Sequence, residues 1–88
     1  MEDDPVVRDA REQITAVDRA IFEAVNRRIE LVRELRSYKE TKGYDFVDPG
    51  REQRMIDERL VENDGPLSTE GLRSLYAELL ALTKREVS

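Results

Sequence analysis

Residues 5–42 read PVVRDAREQITAVDRAIFEAVNRRIELVRELRSYKETK, and after Pro5 this stretch contains neither proline nor glycine. One set of positions recurs at steps of three or four residues: Ile14, Val17, Ile21, Val25, Arg28, Val32, Leu35 and Lys39. That spacing is typical of one face of an α-helix. Proline suits a first turn, and Gly43 follows a cationic last turn, where a left-handed cap is common. The sequence predicts one helix from Pro5 to Lys42, about 55 Å long.

Two shorter helices are predicted in the remainder of the chain. Asp48-Pro49 offers a cap and a first helical residue for a second, short helix, whose segment over about 51–61 carries Met55, Ile56 and Leu60. Asn63-Asp64-Gly65-Pro66 is a turn signal, after which Ser68 or Thr69 caps a third helix that runs to the chain end. The predicted fold is all-α, a three-helix protomer with one very long N-terminal helix. Residues 1–88 form a single domain, in which residues 1–4 are expected to be frayed.

The length of the first helix has a consequence for assembly. It outruns the two shorter helices, so part of its apolar stripe needs a covering surface from outside the protomer. A chain of 88 residues also buries a low fraction of its surface, which makes a single-chain core marginal. An intertwined homodimer is the simplest prediction.

Composition excludes several classes of function. The chain has no cysteine and no histidine, which excludes disulfides, thiolate nucleophiles, Cys/His zinc sites and histidine-based triads. A net charge of −5 argues against a general nucleic-acid binder. No apolar run approaches the roughly 20 residues that span a bilayer, and Met1-Glu2-Asp3-Asp4 is unlike a cationic signal-peptide start. We expect a cytoplasmic protein.

Two cations occupy positions where the helical period places a core. Arg28 and Lys39 lie on the apolar stripe, although lysine and arginine are rarely buried without a partner. They project from one face about 16 Å apart along the axis, which suits one small anionic ligand. An interhelical salt bridge, for example with Glu52, is the alternative. Arg11 is about 25 Å from Arg28, so in an antiparallel dimer it is expected in the partner's site.

The start of the second helix groups Asp48, Arg51 and Glu52 at a positive dipole end, which suits a polar pocket. The plainer alternative is that Asp48 is only a cap and that the other two are ordinary first-turn residues. The plainer alternative for Thr83 is a small residue that is tolerated at a packing position. Four other cations are interpreted as solvated: Arg27, Arg33, Arg36 and Lys42.

Taken together, five segments resemble the all-helical (type II) chorismate mutases in order, spacing and helix boundaries. They are Arg11-Glu12-Gln13-Ile14 with Val17-Asp18, then Arg27-Arg28-Ile29-Glu30-Leu31, then Lys39 before Gly43, then Val47-Asp48-Pro49-Gly50-Arg51-Glu52. The resemblance implies an isomerase of aromatic amino acid biosynthesis that rearranges chorismate to prephenate in the shikimate pathway. It also implies a homodimer with interlocked long helices and two equivalent sites.

The resemblance also implies roles for single residues. Arg11 would reach across from the other protomer, and Arg28 and Arg51 would bind the two substrate carboxylates. Lys39 would face the ether oxygen of the substrate. Asp48 would hydrogen-bond its hydroxyl, Glu52 would sit beside the ether oxygen or the hydroxyl network, and Thr83 would line the pocket. A concerted pericyclic reaction of this kind needs no cofactor, metal or nucleophile.

One position departs from the family pattern. Many members carry a glutamine about one turn after the position of Thr83, and here Val87 occupies it. We expect that Ser88 or Glu86 substitutes after a small shift, or that the site is incomplete in the isolated chain. Losing one such donor typically costs about a hundredfold in rate. Truncation, completion by a partner and a regulatory role all remain open, and we hypothesise that a DAHP synthase tunes the activity.

Two alternative functions remain at this point. Isochorismate pyruvate lyase has the same fold and a similar set of cations, but it acts on an isomeric substrate. The non-enzymatic alternative is a helical dimerisation or regulatory module associated with DAHP synthase, in which Arg28 and Lys39 would be partners in buried salt bridges.

Overall fold

A computed structural model describes residues 4–88 of the protein. It contains helix α1 over Pro5–Lys42, α2 over Pro49–Glu62 and α3 over Thr69–Val87. The all-α class and the three helices predicted from the sequence are confirmed, and no strand occurs over residues 4–88. The sequence also predicts that residues 1–4 are frayed. Of these four, residues 1–3 lie outside the described residues and Asp4 lies within them.

The capping residues explain where the helices begin and end. The carboxylate of Asp4 accepts a hydrogen bond from the backbone N–H of Val6 at 2.8 Å, which begins α1 at Pro5. Gly43 ends α1 at φ +72°, a left-handed conformation that residues with a Cβ rarely adopt. Asp48 caps α2, which begins at Pro49, the predicted first helical residue, and ends at Glu62, one residue beyond the predicted end near Val61. Ser68 caps α3 through its hydroxyl, which accepts from the N–H of Gly71 at 2.9 Å.

The packed part of the protomer lies at one end of α1. Helix α3 contacts both α1 and α2, so it forms the centre of a small core. Leu72, Thr83 and Val87, all on α3, are buried. Every side chain from residue 8 to residue 24 of α1 is exposed. The protomer is therefore a long rod with a compact base.

The overall dimensions reflect that rod. The principal extents are 58, 25 and 17 Å, and the radius of gyration is 17.2 Å. A compact domain of this length has a radius of gyration of about 12 Å. Within residues 4–88, no helix is long and apolar enough to cross a membrane.

Candidate active site

A cavity of about 110 Å³ lies where the second half of α1 meets the α1–α2 loop, the start of α2 and the end of α3. Six of the residues that line it were singled out from the sequence as site residues: Arg28, Lys39, Asp48, Arg51, Glu52 and Thr83. The other residues lining it are Lys84 and the mainly apolar set Val32, Leu35, Phe46, Val47, Met55 and Leu80. Three separate elements thus bring their polar residues together in one place.

Arg28 is held by a neutral hydroxyl. Its Nη1 donates a hydrogen bond of 2.6 Å to Oγ1 of Thr83, whose side chain lies in the core at 2% exposure. The Thr83 hydroxyl in turn donates to the backbone carbonyl of Leu79 at 2.7 Å. The single hydroxyl proton is used on Leu79, so its oxygen is free to accept from the guanidinium. The threonine therefore orients Arg28 without neutralising its charge.

Lys39 is also held by a neutral acceptor. Its Nζ donates to the backbone carbonyl of Phe46 at 3.2 Å. This contact depends on the turn at Gly43, which reverses the chain after α1 so that residue 46 returns beside Lys39. One donor of the ammonium is occupied and two remain for a ligand.

The first turn of α2 supplies Asp48, Arg51 and Glu52. Oδ1 of Asp48 accepts from the backbone N–H of Arg51 at 3.1 Å, which confirms Asp48 as the helix cap. Its other oxygen, Oδ2, lies 4.0 Å from the Arg54 guanidinium. The side chain of Arg51 lines the cavity and makes no hydrogen bond or ion pair within residues 4–88. The positive end of the α2 dipole adds to its charge.

Glu52 has a partner that sequence reasoning missed. Its Oε1 lies 2.8 Å from Nζ of Lys84 on α3, so the pair joins two helices across the cavity. Lys84 follows Thr83 and lies four residues after Leu80, but this helical spacing alone is a weak signal in a chain with 40% charged residues. The alternative in which Glu52 neutralises Arg28 or Lys39 does not describe this structure, because its carboxylate pairs with Lys84.

Arg11 and Val87 do not line the cavity. Arg11 lies on the exposed half of α1, beside a shallow depression that it shares with Arg8, Glu12, Thr15 and Arg19. Val87 is buried at 9% exposure, and its backbone carbonyl accepts a hydrogen bond from Nη1 of Arg36. The hydroxyl of Ser88 donates to the carbonyl of Lys84 at 2.6 Å. Within this protomer, neither Val87 nor Ser88 adds a donor to the cavity.

The interpretation of Arg36 as solvated is wrong. Its guanidinium bonds to the carbonyl of Val87, pairs with Glu40 at 3.3 Å and lies 5.3 Å from the centroid of the Phe46 ring. Arg33 stays exposed but donates to the carbonyl of Glu86 at 3.2 Å. Both arginines satisfy carbonyls at the C-terminus of α3, which lack partners within the helix. Arg27 and Lys42 are exposed, as expected.

The charges of the cavity favour a small polyanion. Four cationic side chains (Arg28, Lys39, Arg51 and Lys84) face two carboxylates (Asp48 and Glu52), which leaves a local net charge of +2 in a chain of −5. Planar guanidinium groups match carboxylates with two parallel hydrogen bonds, whereas an ammonium acts as a point donor. The apolar side chains around them lower the local dielectric and strengthen these interactions.

Comparison with known families agrees with this arrangement. The sequence model of type II chorismate mutase matches residues 10–87, which is nearly the whole chain. The chain belongs to the type II chorismate mutase family. The family predicted by resemblance is therefore confirmed, and with it the main function and the class of enzyme, because chorismate mutases are isomerases.

A solved structure of a chorismate mutase is also similar. The chorismate mutase (Form I) from Thermus thermophilus is 28% identical in sequence and superposes with a TM-score of 0.84. The match covers 88% of this chain and 96% of the Thermus chain. A search of curated proteins found no match. Neither the family match nor the Thermus structure favours isochorismate pyruvate lyase or a non-catalytic module over a chorismate mutase.

Proposed function

We propose that this protein catalyses the rearrangement of chorismate to prephenate at the cavity between α1, α2 and α3. The observation that carries the proposal is the state of the two cations of α1. Arg28 and Lys39 face the cavity, yet their partners are a neutral hydroxyl and a neutral carbonyl. Their charges are therefore available to a dianionic substrate.

The proposed roles follow from the chemistry of each group. Arg28 and Arg51 bind the two carboxylates of the substrate, and this fixes the folded chair-like conformer that the rearrangement requires. Lys39 donates to the ether oxygen, where negative charge develops as the C–O bond breaks. A donor that interacts more strongly in the transition state than in the ground state raises kcat. Asp48 and Glu52 take the hydroxyl group, and Thr83 holds Arg28.

The reaction needs only positioning and electrostatic stabilisation. Bond breaking and bond formation occur together within one molecule, so no protein group forms a covalent bond. This agrees with a site made of arginine, lysine, carboxylates and one hydroxyl. The pathway implied by the family is phenylalanine and tyrosine biosynthesis, and a cytoplasmic location stays part of the proposal.

We propose that the functional form is an intertwined homodimer. Ile14, Val17 and Ile21 are 59%, 58% and 51% exposed in the protomer, although they form one apolar stripe. A second copy of α1 packed in the antiparallel sense covers that stripe. The same packing carries Arg11 to the partner's cavity, where it becomes a further cation for the substrate.

The test is chorismate turnover by the purified protein, with the product identified. We expect prephenate from chorismate and no salicylate from isochorismate. Arg28→Ala and Lys39→Ala should each lower kcat/KM by about a thousandfold or more while the oligomeric state persists. Arg27→Ala is the matched control, because Arg27 is exposed and pairs with Glu30 on its own helix. Wild-type turnover in Lys39→Ala would contradict the assignment, and salicylate as product would support the lyase.

The dependence on a DAHP synthase stays a prediction. It is supported by Val87, whose side chain is buried away from the cavity and has no donor. A partner that rearranges the end of α3 would increase turnover. We expect higher kcat/KM in the presence of the cognate DAHP synthase, and equal turnover with and without it would reject the prediction.

A further inference from the structure

Lys84 lines the cavity and forms an ion pair with Glu52, but the proposed function gives Lys84 no role. Pairs such as Arg27–Glu30, Arg59–Glu62 and Arg85–Glu78 each lie within one helix. Lys84–Glu52 instead joins α3 to α2, and both side chains line the cavity. The Glu52 side chain is 29% exposed and that of Lys84 is 41% exposed.

The ion pair affects ligand binding in the cavity more than it affects the stability of the fold. Exposed or half-exposed ion pairs contribute little to folding, because solvent screens them. A carboxylate in the wall of a cavity that receives a dianion has a different effect, because it repels the ligand through a low-dielectric space. Arg28 and Lys39 do not offset it directly, because their bonds go to Thr83 and to the carbonyl of Phe46. Lys84 is the cation in contact with Glu52.

We infer that Lys84 is a positioning residue of this active site. It fixes the Glu52 carboxylate on one side of the cavity and cancels its charge, so that an entering dicarboxylate meets a net cationic surface. Lys84 acts through Glu52 and not through the substrate. The inference rests on the proposed function and deepens it by adding a residue that determines the position and net charge of the Glu52 carboxylate beside the substrate.

The experiment compares Lys84→Met with Arg85→Met in the full chain. Both substitutions remove one cation from the last turns of α3, but Arg85 is exposed and pairs with Glu78 outside the cavity. We expect kcat/KM for chorismate to fall about tenfold in Lys84→Met, mainly through a higher KM, because the unpaired carboxylate weakens substrate binding; coupled neighbours typically show effects of this size. Arg85→Met should stay at the wild-type value, and Lys84→Arg should recover most of the loss.

A double-mutant cycle with Glu52→Gln separates positioning from direct contact. If Lys84 acts through Glu52, Lys84→Met should have less than about a twofold effect in the Glu52→Gln background. An undiminished loss there would overturn the inference by showing that Lys84 contacts the substrate. If the wild type is active and Lys84→Met has the same kcat/KM, the inference is overturned but the proposed function is not. A wild type without chorismate turnover would overturn the proposed function, and the inference with it.

Discussion

The two halves of α1 share one apolar period but differ in what covers them. In the first half, residues 5–24, the apolar side chains of the stripe are exposed. In the second half, residues 25–42, Val25, Arg28, Val32 and Lys39 are at least half-buried against the rest of the protomer. An apolar stripe predicts which face of a helix is buried, but it does not predict which chain covers that face. The contrast supports a second copy as the cover of the first half.

The second half also shows how cations become part of a packed face. Arg28 and Lys39 follow the same period as Val25 and Val32, and each is held by one neutral hydrogen bond. Unpaired charges are costly to bury, so such an arrangement is stable only beside solvent or an anionic ligand. In the protomer, the first half of α1 therefore presents an exposed apolar stripe, and the second half presents two cations to the cavity.

The largest expected effect comes from breaking the first half with Ile21→Asp. If a second α1 covers this residue, the substitution buries an uncompensated charge in each protomer, at a cost of about 3–5 kcal/mol per charge. We expect loss of the dimer in analytical ultracentrifugation, a large fall in the thermal unfolding midpoint, and loss of turnover. Ala16→Asp, on the opposite face of the same helix, should leave all three unchanged. A stable dimer with Ile21→Asp would show that another surface forms the interface.

An intermediate effect is expected from Thr83→Val, which sharpens the account of the second half. The substitution keeps the shape of a core side chain at 2% exposure but removes the acceptor of the Arg28 guanidinium. An unsatisfied donor of this kind costs about 1–3 kcal/mol. We expect kcat/KM to fall about tenfold or more, with a smaller fall in the free energy of unfolding in urea. Thr41→Val is the control, because its hydroxyl is exposed and, among residues 4–88, bonds only to the carbonyl of Tyr38. Unchanged kinetics in Thr83→Val would mean that Arg28 needs no orientation by α3.

The smallest effect is expected from Arg36→Met, which tests how α1 holds the end of α3. Arg36 binds the carbonyl of Val87 and covers the Phe46 ring, whereas Arg33 makes one exposed contact with the carbonyl of Glu86. Its side chain is one-third exposed, so we expect a loss of about 1 kcal/mol. For a domain of this size that loss corresponds to a fall of about 4–8 °C in Tm, measured at fixed protein concentration. Arg33→Met should lower Tm less, and the reverse order would reject Arg36 as the main contact.

The helix boundaries were predictable because local residues decide them. Asp4 and Pro5, Gly43, Asp48 and Pro49 each act on the turn they belong to, so a single sequence contains the whole signal. The family and its reaction followed from the joint spacing of short segments. Arg28 and Lys39 were identified from helical period alone, while the assignment of Asp48, Arg51, Glu52 and Thr83 to the site relied on resemblance.

Lys84 and Arg36 were not predictable in the same way. Charged residues make up 40% of the chain, so a lysine or arginine that faces inward does not stand out by type. Leu35 fits the stripe of α1, yet it is 47% exposed while its neighbour Arg36 is half-buried. Which of two adjacent residues is covered depends on where α3 crosses α1. That crossing is a tertiary feature that helical period does not contain.

The uninterrupted course of α1 restricts how the sequence of this protein can change. Deleting one residue between Arg11 and Arg28 would turn one of them by about 100° around the helix axis relative to the other. Inserting seven residues would keep the faces within about 20° but would separate the two positions by a further 10 Å or so. A substitution on the rod leaves the positions of all other residues unchanged, whereas insertions and deletions move every position beyond them. We therefore expect homologues of this chain to vary in residue type along α1 but to keep the number of residues between Arg11 and Lys39.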